Sequence, residues 1–573
     1  MYLDRLRAEL SIAAGEGAPV AVPSRHVERF DLRLDPWGFE AELAFWVVCE
    51  ADPSEDTLFD AFVGPAQLEA TLTLGRSFDE VGEDAEALVL KGLAVERSAR
   101  ELPAGDVAGA PVLSRRYRLR FVDRARALWP HHRPDSLYVD ATYRDLFADN
   151  LPRGVSLAHA WAASSARRPV LSLGLGAADE APAPGVAPAS FYDFTFWLLD
   201  REAAGLFYDY ASSSYRVADE KPNASSPRAL EPDEVEAIEI ALPRLRRAKV
   251  VVLNAYADAA EARREIANAV ALEGVRADAL ARTPVASEFD ARVKRETARA
   301  RQPREGARVT LRRTPAAALA PNLALTLGEG FSDKLFAHGK TYRIVTLRLR
   351  GVPPAEAGPE APGSDLAGQG AGADAPGGDI AGQGGGTEAD LGRRYALDYE
   401  LDLELASDPS FHAPPFAPPP WPFFVEGNVV SEIGQDDELT YQAYRDEATS
   451  LDFYKIAVPL FEGKKVIAPY EPTALSGQFY FPLYKGERVL VALDFDRASV
   501  AGHLDWRPGA RLPLESQGNH LLLGKKGTSQ TSLRHTYADG KPSLTIERTS
   551  DKDRQTIVIS EGTIRLETKE DEG

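Results

Sequence analysis

The sequence has 573 residues, of which 44% are hydrophobic and 27% are charged, and its formal net charge is −21. A chain this long exceeds one hydrophobic core, so we expect about two to four globular domains. The acidic balance argues against a broad nucleic-acid role, because phosphate backbones are bound by clustered Lys and Arg. The single cysteine, Cys49, excludes an intramolecular disulfide and a CxxC metal site, and its apolar neighbours favour a buried thiol.

The amino terminus carries charged residues where a secretory signal requires an apolar core. No stretch approaches about 18 consecutive apolar residues, so no membrane-spanning helix is predicted. We therefore expect a protein that is made and folded in the cytoplasm without a signal peptide. If it leaves the cell, it does so by another route.

Residues 1 to about 125 are predicted to be mostly β, because segments 30–34 and 116–122 alternate apolar with polar side chains. A helix is predicted over 191–204, where apolar residues recur at helical spacing, and Gly205 is expected to end it.

Two further elements are predicted after this helix. Residues 206–217 indicate a hairpin, since two aromatic-rich runs flank a short polar segment. A second helix is predicted over 257–271, where Ala, Glu and Arg dominate.

Residues 352–392 are of low complexity and rich in Gly, Ala, Pro and Asp. Two imperfect copies of a glycine–aspartate repeat lie there, which is too few to stack into a calcium-binding solenoid. We interpret the segment as a mobile, disordered loop. Strands at 342–349 and 395–405 flank it, and their alternation predicts that they pair with each other.

No motif with catalytic or metal-binding spacing is present: HExxH, GxSxG, the phosphate-binding loop and the dinucleotide fingerprint are all absent. Gly463-Lys464-Lys465 and Gly524-Lys525-Lys526 lack the other residues of a phosphate loop, and we predict turns. His131 and His132 are adjacent, so their side chains diverge and a shared metal is not expected. We expect no cofactor and no enzymatic activity.

Residues 413–422 form a proline-rich linker, predicted to be stiff and extended. Five short strands joined by glycine turns follow within 423–506, which is typical of an OB-fold barrel. OB barrels often bind nucleic acid, but the acidic turn at 494–496 and the net charge count against it. The aromatic residues of these strands are interpreted as core: Tyr454, Phe479 and Phe481.

Residues 507–573 contain strands about ten residues apart, each alternating apolar with polar side chains. Such strands have one apolar face and no second layer to cover it. Two interpretations remain open. Either the strands pack on the barrel as an ordinary hairpin, or three copies of the chain meet around a threefold axis. The second places five side chains in the axial core of a β-prism: Ile546, Ile557, Ile559, Ile564 and Leu566.

The order of these parts resembles the VgrG-type spike proteins of type VI secretion systems, which fuse the baseplate hub and the spike of contractile phage tails. The resemblance covers nearly the whole chain and rests on four groups of residues: 115–123 with 128–129, 192–208, 484–491 and 500–502. None of these stretches is as sharp as a zinc motif, and it is their order along the chain that carries the resemblance.

The resemblance implies a mainly β fold with some α structure. It divides the chain into a tube-docking hub at 1–412 with two barrel-like modules, the linker, the OB-fold barrel and a trimeric triple-stranded β-prism or β-helix needle at 507–573. The hub core is expected to include Tyr117, Phe121, Phe194, Trp197 and Leu198.

The resemblance also implies a structural role and a set of partners. The chain would be a homotrimer that seats on a hexameric inner-tube ring, contacts baseplate components and carries effector cargo, with no nucleic acid. A cone-shaped PAAR-type tip protein would dock near Thr563, Glu567 and Lys569. Assembly in the bacterial cytoplasm would precede ejection into the extracellular space or a target cell, where the needle punctures a membrane.

The sequence departs from some relatives. The prism is short and lacks repeated Val-Gly dipeptides, and the sixteen residues between Leu504 and Leu521 are too few for an inserted lysozyme domain. Two alternatives belong to other functional classes. A secreted cell-wall hydrolase or polymer-binding β protein requires a carboxylate-lined cleft within 1–350, and an OB-based nucleic-acid binder requires a basic groove on 423–504.

Overall fold

The computed structural model describes residues 1–570 except 16, 50–55, 77–86, 108–109, 177–187, 223–225, 316–317, 355–392, 435–439, 446–451, 470–480, 508, 517 and 527. The fold is mainly β, with 51% strand and 13% helix, as predicted. No helix of the described residues is long and apolar enough to cross a membrane. The predicted glycine-rich loop falls largely within 355–392 and lies outside the described residues.

The strands of the first part of the chain are, in order, β1 (Tyr2–Ala14), β2 (Val20–Val22), β3 (Val27–Asp35), β4 (Gly38–Cys49), β5 (Leu68–Arg76), β6 (Leu88–Val107), β7 (Ala110–Val122), β8 (Asp135–Ala141), β9 (Leu157–Ala160), β10 (Arg168–Gly174), β11 (Gly205–Asp209), β12 (Ser214–Ala218), β13 (Arg228–Leu230), β14 (Val235–Ala241), β15 (Lys249–Asn254), β16 (Arg263–Ile266), β17 (Arg276–Ala281), β18 (Gly306–Leu311), β19 (Ala324–Leu327), β20 (Tyr342–Val352) and β21 (Arg393–Leu405). The helices are α1 (Phe59–Val63), α2 (Arg124–Leu128), α3 (Tyr143–Asp149), α4 (Phe191–Glu202) and α5 (Ala286–Arg299).

Two sheets of this region share the hairpin β20–β21. The first sheet pairs its strands in the order β1-β5-β6-β7-β4-β3-β20-β21. Because β21 also pairs with β1, these eight strands close into a ring. The second sheet runs β13-β19-β20-β21-β18-β14. The pairing of 342–352 with 396–405 confirms the predicted hairpin across the glycine-rich segment.

The ring encloses a core because its strands alternate. On β1, Leu6, Ala8, Leu10 and Ile12 are at most 2% exposed. The intervening polar residues face outward, as the two-residue period of a strand requires. Cys49 is buried, which confirms the interpretation of its thiol.

Helix α4 covers the core and confirms the predicted helix. Ser190 caps it: its Oγ accepts a bond from the Asp193 N–H, and the Asp193 carboxylate accepts one from the Ser190 N–H. The helix ends earlier than predicted, because Ala203 adopts the left-handed conformation with φ of 54° and Gly205 already begins β11. The expectation that Gly205 ends the helix was therefore wrong.

The predicted helix over 257–271 is also wrong, since this segment contains β16 between turns. Strand β15 pairs antiparallel with β16 and parallel with β17. The helix of this region is α5, which packs Phe289 onto Val252 and Ile266 in a small core of its own.

The strands of residues 423–503 are β22 (Phe423–Val430), β23 (Tyr444–Arg445), β24 (Asp452–Val458), β25 (Lys464–Pro469), β26 (Arg488–Asp494) and β27 (Arg497–His503). Strand β22 pairs with β24 and β26, β24 with β25, and β26 with β27, while β25 lies against β27. This is the connectivity of an OB barrel, as predicted. Tyr454 is buried and Phe481 partly buried outside any strand, whereas Phe479 lies outside the described residues.

The barrel packs on the hub strands β8 and β10. Leu137 and Val170 of the hub belong to the barrel's hydrophobic core. A Cβ on Gly174 would lie 2.2 Å from the Phe423 ring, so this contact requires glycine. The Ser172 N–H donates to the carbonyl of Phe495 at 2.8 Å, which ties the two parts through the backbone.

The last part of the chain is a five-stranded antiparallel meander of β28 (Asn519–Lys526), β29 (Ser529–Ala538), β30 (Lys541–Ser550), β31 (Asp553–Ser560) and β32 (Thr563–Lys569). Each strand pairs with the next, so β32 is an edge strand among the described residues.

Candidate functional site

One face of the terminal sheet is apolar, and the strand register creates it. Ile546 is opposite Ile557, and Ile557 is opposite Leu566. Ile559 is opposite Ile564 in the adjacent row. Because these residues are separated by two along each strand, all five point to the same side. The structure therefore brings the five predicted axial residues together on one surface.

That surface is not covered by the chain itself. Ile557 and Ile559 are 37% and 41% exposed, and Ile564 and Leu566 are 71% and 74% exposed. Ile546 is partly buried beside Leu533, its partner on β29. None of the five belongs to a hydrophobic core of the described residues. A contiguous exposed apolar face of this kind marks an interaction surface.

The opposite face of the same sheet is polar and ion-paired. Glu547 accepts from Arg534 at 2.7 Å and also from Arg554. Glu567 lies 3.6 Å from Arg565 and 3.9 Å from Lys569. The pairs of Glu567 are largely exposed and contribute little stability, whereas Glu547 is mostly buried between its two arginines. The sheet thus has one face suited to water and one that is not.

The predicted tip-docking residues lie on the edge strand β32. Thr563, Glu567 and Lys569 share the polar face, since they alternate with Ile564 and Leu566. The Thr563 hydroxyl lies 2.8 Å from that of Ser560 across the turn. An edge strand presents unpaired backbone N–H and C=O groups, which a partner can cover.

The predicted hub-core residues occupy two places. Tyr117 and Phe121 are buried inside the ring, and Phe194 and Leu198 lie on the buried face of helix α4. Trp197 is only partly buried, and its ring lies 4.6 Å from Trp421.

The aromatic contact of Trp197 joins three parts of the chain. Trp421 comes from the proline-rich segment, and Phe495 comes from the OB barrel, 5.4 Å from each of the two tryptophan rings. Arg201 of α4 also pairs with Asp496. Sequence reasoning missed this junction, although a tryptophan among prolines and an aromatic residue between two aspartates were signals for it.

The adjacent histidines and the groove between hub and barrel bear on the question of a metal or catalytic site. The described residues hold no group of three His, Cys, Asp or Glu side chains that could bind a metal. His132 Nε2 lies 2.8 Å from Asn150 Oδ1 in a structural contact. A groove of about 460 Å³ between hub and barrel has two acidic residues in its lining, Asp140 and Glu432. Both are ion-paired, to Arg167 and Lys455.

Comparison with known proteins gives matches in structure and none in sequence. No family model and no curated protein matches the chain. A chain of the lidded Francisella PdpA-VgrG complex superposes with a TM-score of 0.71 at 13% identity, over 99% of this chain and 81% of that one. The half-lidded form gives 0.70 at 13% identity, over 99% and 89%.

A lidless PdpA-VgrG complex also matches, with a TM-score of 0.70 and 12% identity over 99% of both chains. The similarity extends over nearly the full length at low identity, so it establishes a common fold. The mainly β architecture of hub, barrel and terminal sheet is therefore shared with a chain from a VgrG-containing complex.

Proposed function

We propose that the chain is the structural hub and spike of a bacterial contractile injection machine of the VgrG type. It would act as a homotrimer that seats on the inner tube and leads through the target membrane. The work is mechanical: a rigid trimer concentrates the force of contraction on a narrow tip. No reaction and no cofactor is part of this proposal.

The uncovered apolar face of the terminal sheet carries the proposal. Four of its five central residues are more than a third exposed in the single chain. Fully burying an exposed Leu or Ile side chain is worth about 1.5–3 kcal/mol, and Ile557 and Ile559, which are already partly covered, gain less than Ile564 and Leu566. Three sheets facing one another bury all three faces at once, and a threefold arrangement also leaves the polar faces in water. The fold that the chain shares with a chain of a VgrG-containing complex supports the VgrG type of the proposal.

Charge opposes this assembly and must be overcome. Three chains bring together a formal charge of −63, three times −21. Self-repulsion of this kind weakens compact assemblies. The apolar axis supplies the favourable term, and any basic surface placed against an acidic neighbour would reduce the unfavourable one.

The proposed partners follow from this architecture. The hub, residues 1–412, would contact the hexameric tube and the baseplate, and the far end of the sheet at β32 would hold a tip protein. Effector cargo would travel with the trimer or its tip. Assembly would occur in the cytoplasm, and the trimer would then be ejected toward a target cell.

The mass of the purified full-length protein in solution tests the proposal. We expect a species near three times the chain mass of 62.2 kDa at micromolar concentration, by light scattering or sedimentation. A clean monomer under these conditions would contradict the trimer and, with it, the spike role.

A further inference from the structure

A small module with its own core is inserted between β14 and β18 of the hub. It comprises residues 244–304 and contains β15, β16, β17 and α5. The module holds 14 Lys and Arg against 8 Asp and Glu, a net charge of +6, whereas the rest of the chain has −27. The module is therefore basic, whereas the rest of the chain is acidic on average.

Four arginines and two leucines lie on three segments of this region that hydrogen bonds bring together: Leu242, Arg244, Arg246, Arg247, Leu272 and Arg301. We call this set the arginine–leucine patch. Hydrogen bonds to the backbone of Arg246 and Arg247 hold its three segments together. The Gln302 amide receives a bond from the Arg246 N–H at 2.9 Å and donates to the Arg246 carbonyl at 3.0 Å. The Leu272 N–H donates to the Arg247 carbonyl at 2.8 Å.

The arginines of the patch have no carboxylate partner within ion-pair distance in the part of the chain that the structure describes. Among these arginines, the Arg247 guanidinium donates a long hydrogen bond of 3.4 Å to the Val270 carbonyl. Glu273 is the acidic residue next to Leu272, and it is exposed. Several other arginines of the module are ion-paired: Arg264, for example, pairs with Glu261 and Asp290.

The leucines of the patch are equally without cover. Leu242 is 79% exposed and Leu272 is 53% exposed, and Val275, whose N–H donates to the Leu272 carbonyl, is 42% exposed. Arginine next to exposed aliphatic side chains is typical of protein interfaces, where Arg is enriched and Lys depleted. Nucleic-acid backbones need the positive charge but not the apolar residues.

We propose that the arginine–leucine patch is an interface to a second copy of this chain. The inference rests on the proposed function, which brings three copies together. Outside the module each copy carries −27, so a neighbouring copy presents a surface that is acidic on average. Placing the patch against it offsets part of the repulsion between chains and buries the exposed leucines.

A charge-reversal variant tests whether the arginines of the patch attract the neighbouring copy. We expect Arg247→Glu to raise the protein concentration of half-dissociation of the trimer at least tenfold at about 0.05 M salt. The difference from wild type should shrink at about 0.5 M, where the screening length is only about 4 Å. Arg153→Glu, at an exposed arginine of a hub loop, makes the same charge change outside the patch and should leave the trimer unchanged. Equal dissociation of the Arg247 variant and wild type at low salt would overturn the inference.

If the trimer is too stable to dissociate at measurable concentrations, photo-crosslinking tests whether the patch contacts a second copy. A photo-reactive residue at position 242 or 272 should give a covalent dimer of the purified chain, and one at Val63, which is 57% exposed elsewhere, should not. A trimeric mass without crosslinks from 242 and 272 refutes the patch but leaves the proposed function standing. A monomeric mass refutes the proposed function itself.

Discussion

The hub ring and the terminal sheet are built from strands with the same alternation, yet their apolar residues have opposite fates. On β1, Leu10 and Ile12 are 1% exposed, because the ring closes around them. On β31, Ile557 and Ile559 are 37% and 41% exposed, because the described chain places nothing above them. Alternation therefore fixes which face is apolar, whereas the neighbouring layer decides whether that face is buried.

The difference in burial between ring and terminal sheet predicts where truncating an apolar side chain will lower the free energy of unfolding. Phe121 is fully buried in the ring, with its ring centroid 5.6 Å from that of Phe39. We expect Phe121→Ala to reduce the free energy of unfolding by about 3–5 kcal/mol, because the transfer free energy of the ring is lost and a cavity is left in its place. Denaturant unfolding monitored by tryptophan fluorescence measures it.

Leu566→Ala is the matched change in the terminal sheet, where the side chain is 74% exposed. In dilute protein it should cost less than about 0.5 kcal/mol, as is usual for surface substitutions. A loss that grows with protein concentration would indicate that assembly buries Leu566. Equal losses for the two variants in dilute protein would contradict the contrast between ring and sheet.

A charge on the apolar face should prevent assembly. Ile557→Lys places an ammonium group at the centre of the proposed axis, three times per trimer, where an unpaired charge is strongly unfavourable. We expect the trimer to weaken at least about a hundredfold, or about 2.7 kcal/mol. Thr556→Lys is the control, because Thr556 is opposite Glu547 and Glu567 on the polar face. Loss of the trimer in both variants would point to general disruption of the sheet.

Periodicity was enough to predict the hairpin β20–β21 and helix α4, because both strands alternate and the apolar residues of α4 recur at helical spacing. The prediction failed at 257–271, where helix-forming composition was overridden by pairing of β16 with β15. Helix α5 was missed, although Phe289 and Val293 have helical spacing behind Thr283-Pro284.

The common face of the five proposed axial residues was predictable for a simpler reason. They alternate on two consecutive strands and on the strand before them, so a common face follows from the period of two. The arginine–leucine patch was not predictable, because it joins segments about 25–60 residues apart, near Arg246, Leu272 and Arg301, through contacts that no local period encodes.

A serine hydroxyl should also contribute more stability at the cap of helix α4 than in the terminal sheet. Ser190→Ala removes the Oγ that accepts from the Asp193 N–H, and we expect a loss of about 1 kcal/mol in the free energy of unfolding. Ser560→Ala in the terminal sheet removes an exposed hydroxyl and should cost less than about 0.5 kcal/mol. Thermal unfolding of the two variants against wild type compares them, and an equal shift would argue that the cap contributes nothing specific.

The smallest expected effect is a dependence on pH through His159 of β9. Burial lowers the pKa of this histidine below 6.5, and nearby Arg144 lowers it further. Its Nδ1 is buried without a hydrogen-bond partner among the described residues, and its ring centroid lies 5.8 Å from that of Phe147. The folded hub thus holds His159 neutral.

The unfolded chain binds a proton at this histidine near pH 6.5, before the folded chain does, so stability should fall as the pH drops from about 6.5 toward the lowered pKa. The loss is limited to about 1.4 kcal/mol for each unit of difference. His159→Gln should therefore lose less stability than wild type between about pH 7.5 and 5.5 in denaturant unfolding. The terminal sheet cannot cause this difference, because His159 lies in the hub, and parallel losses in variant and wild type would show that its burial does not oppose protonation.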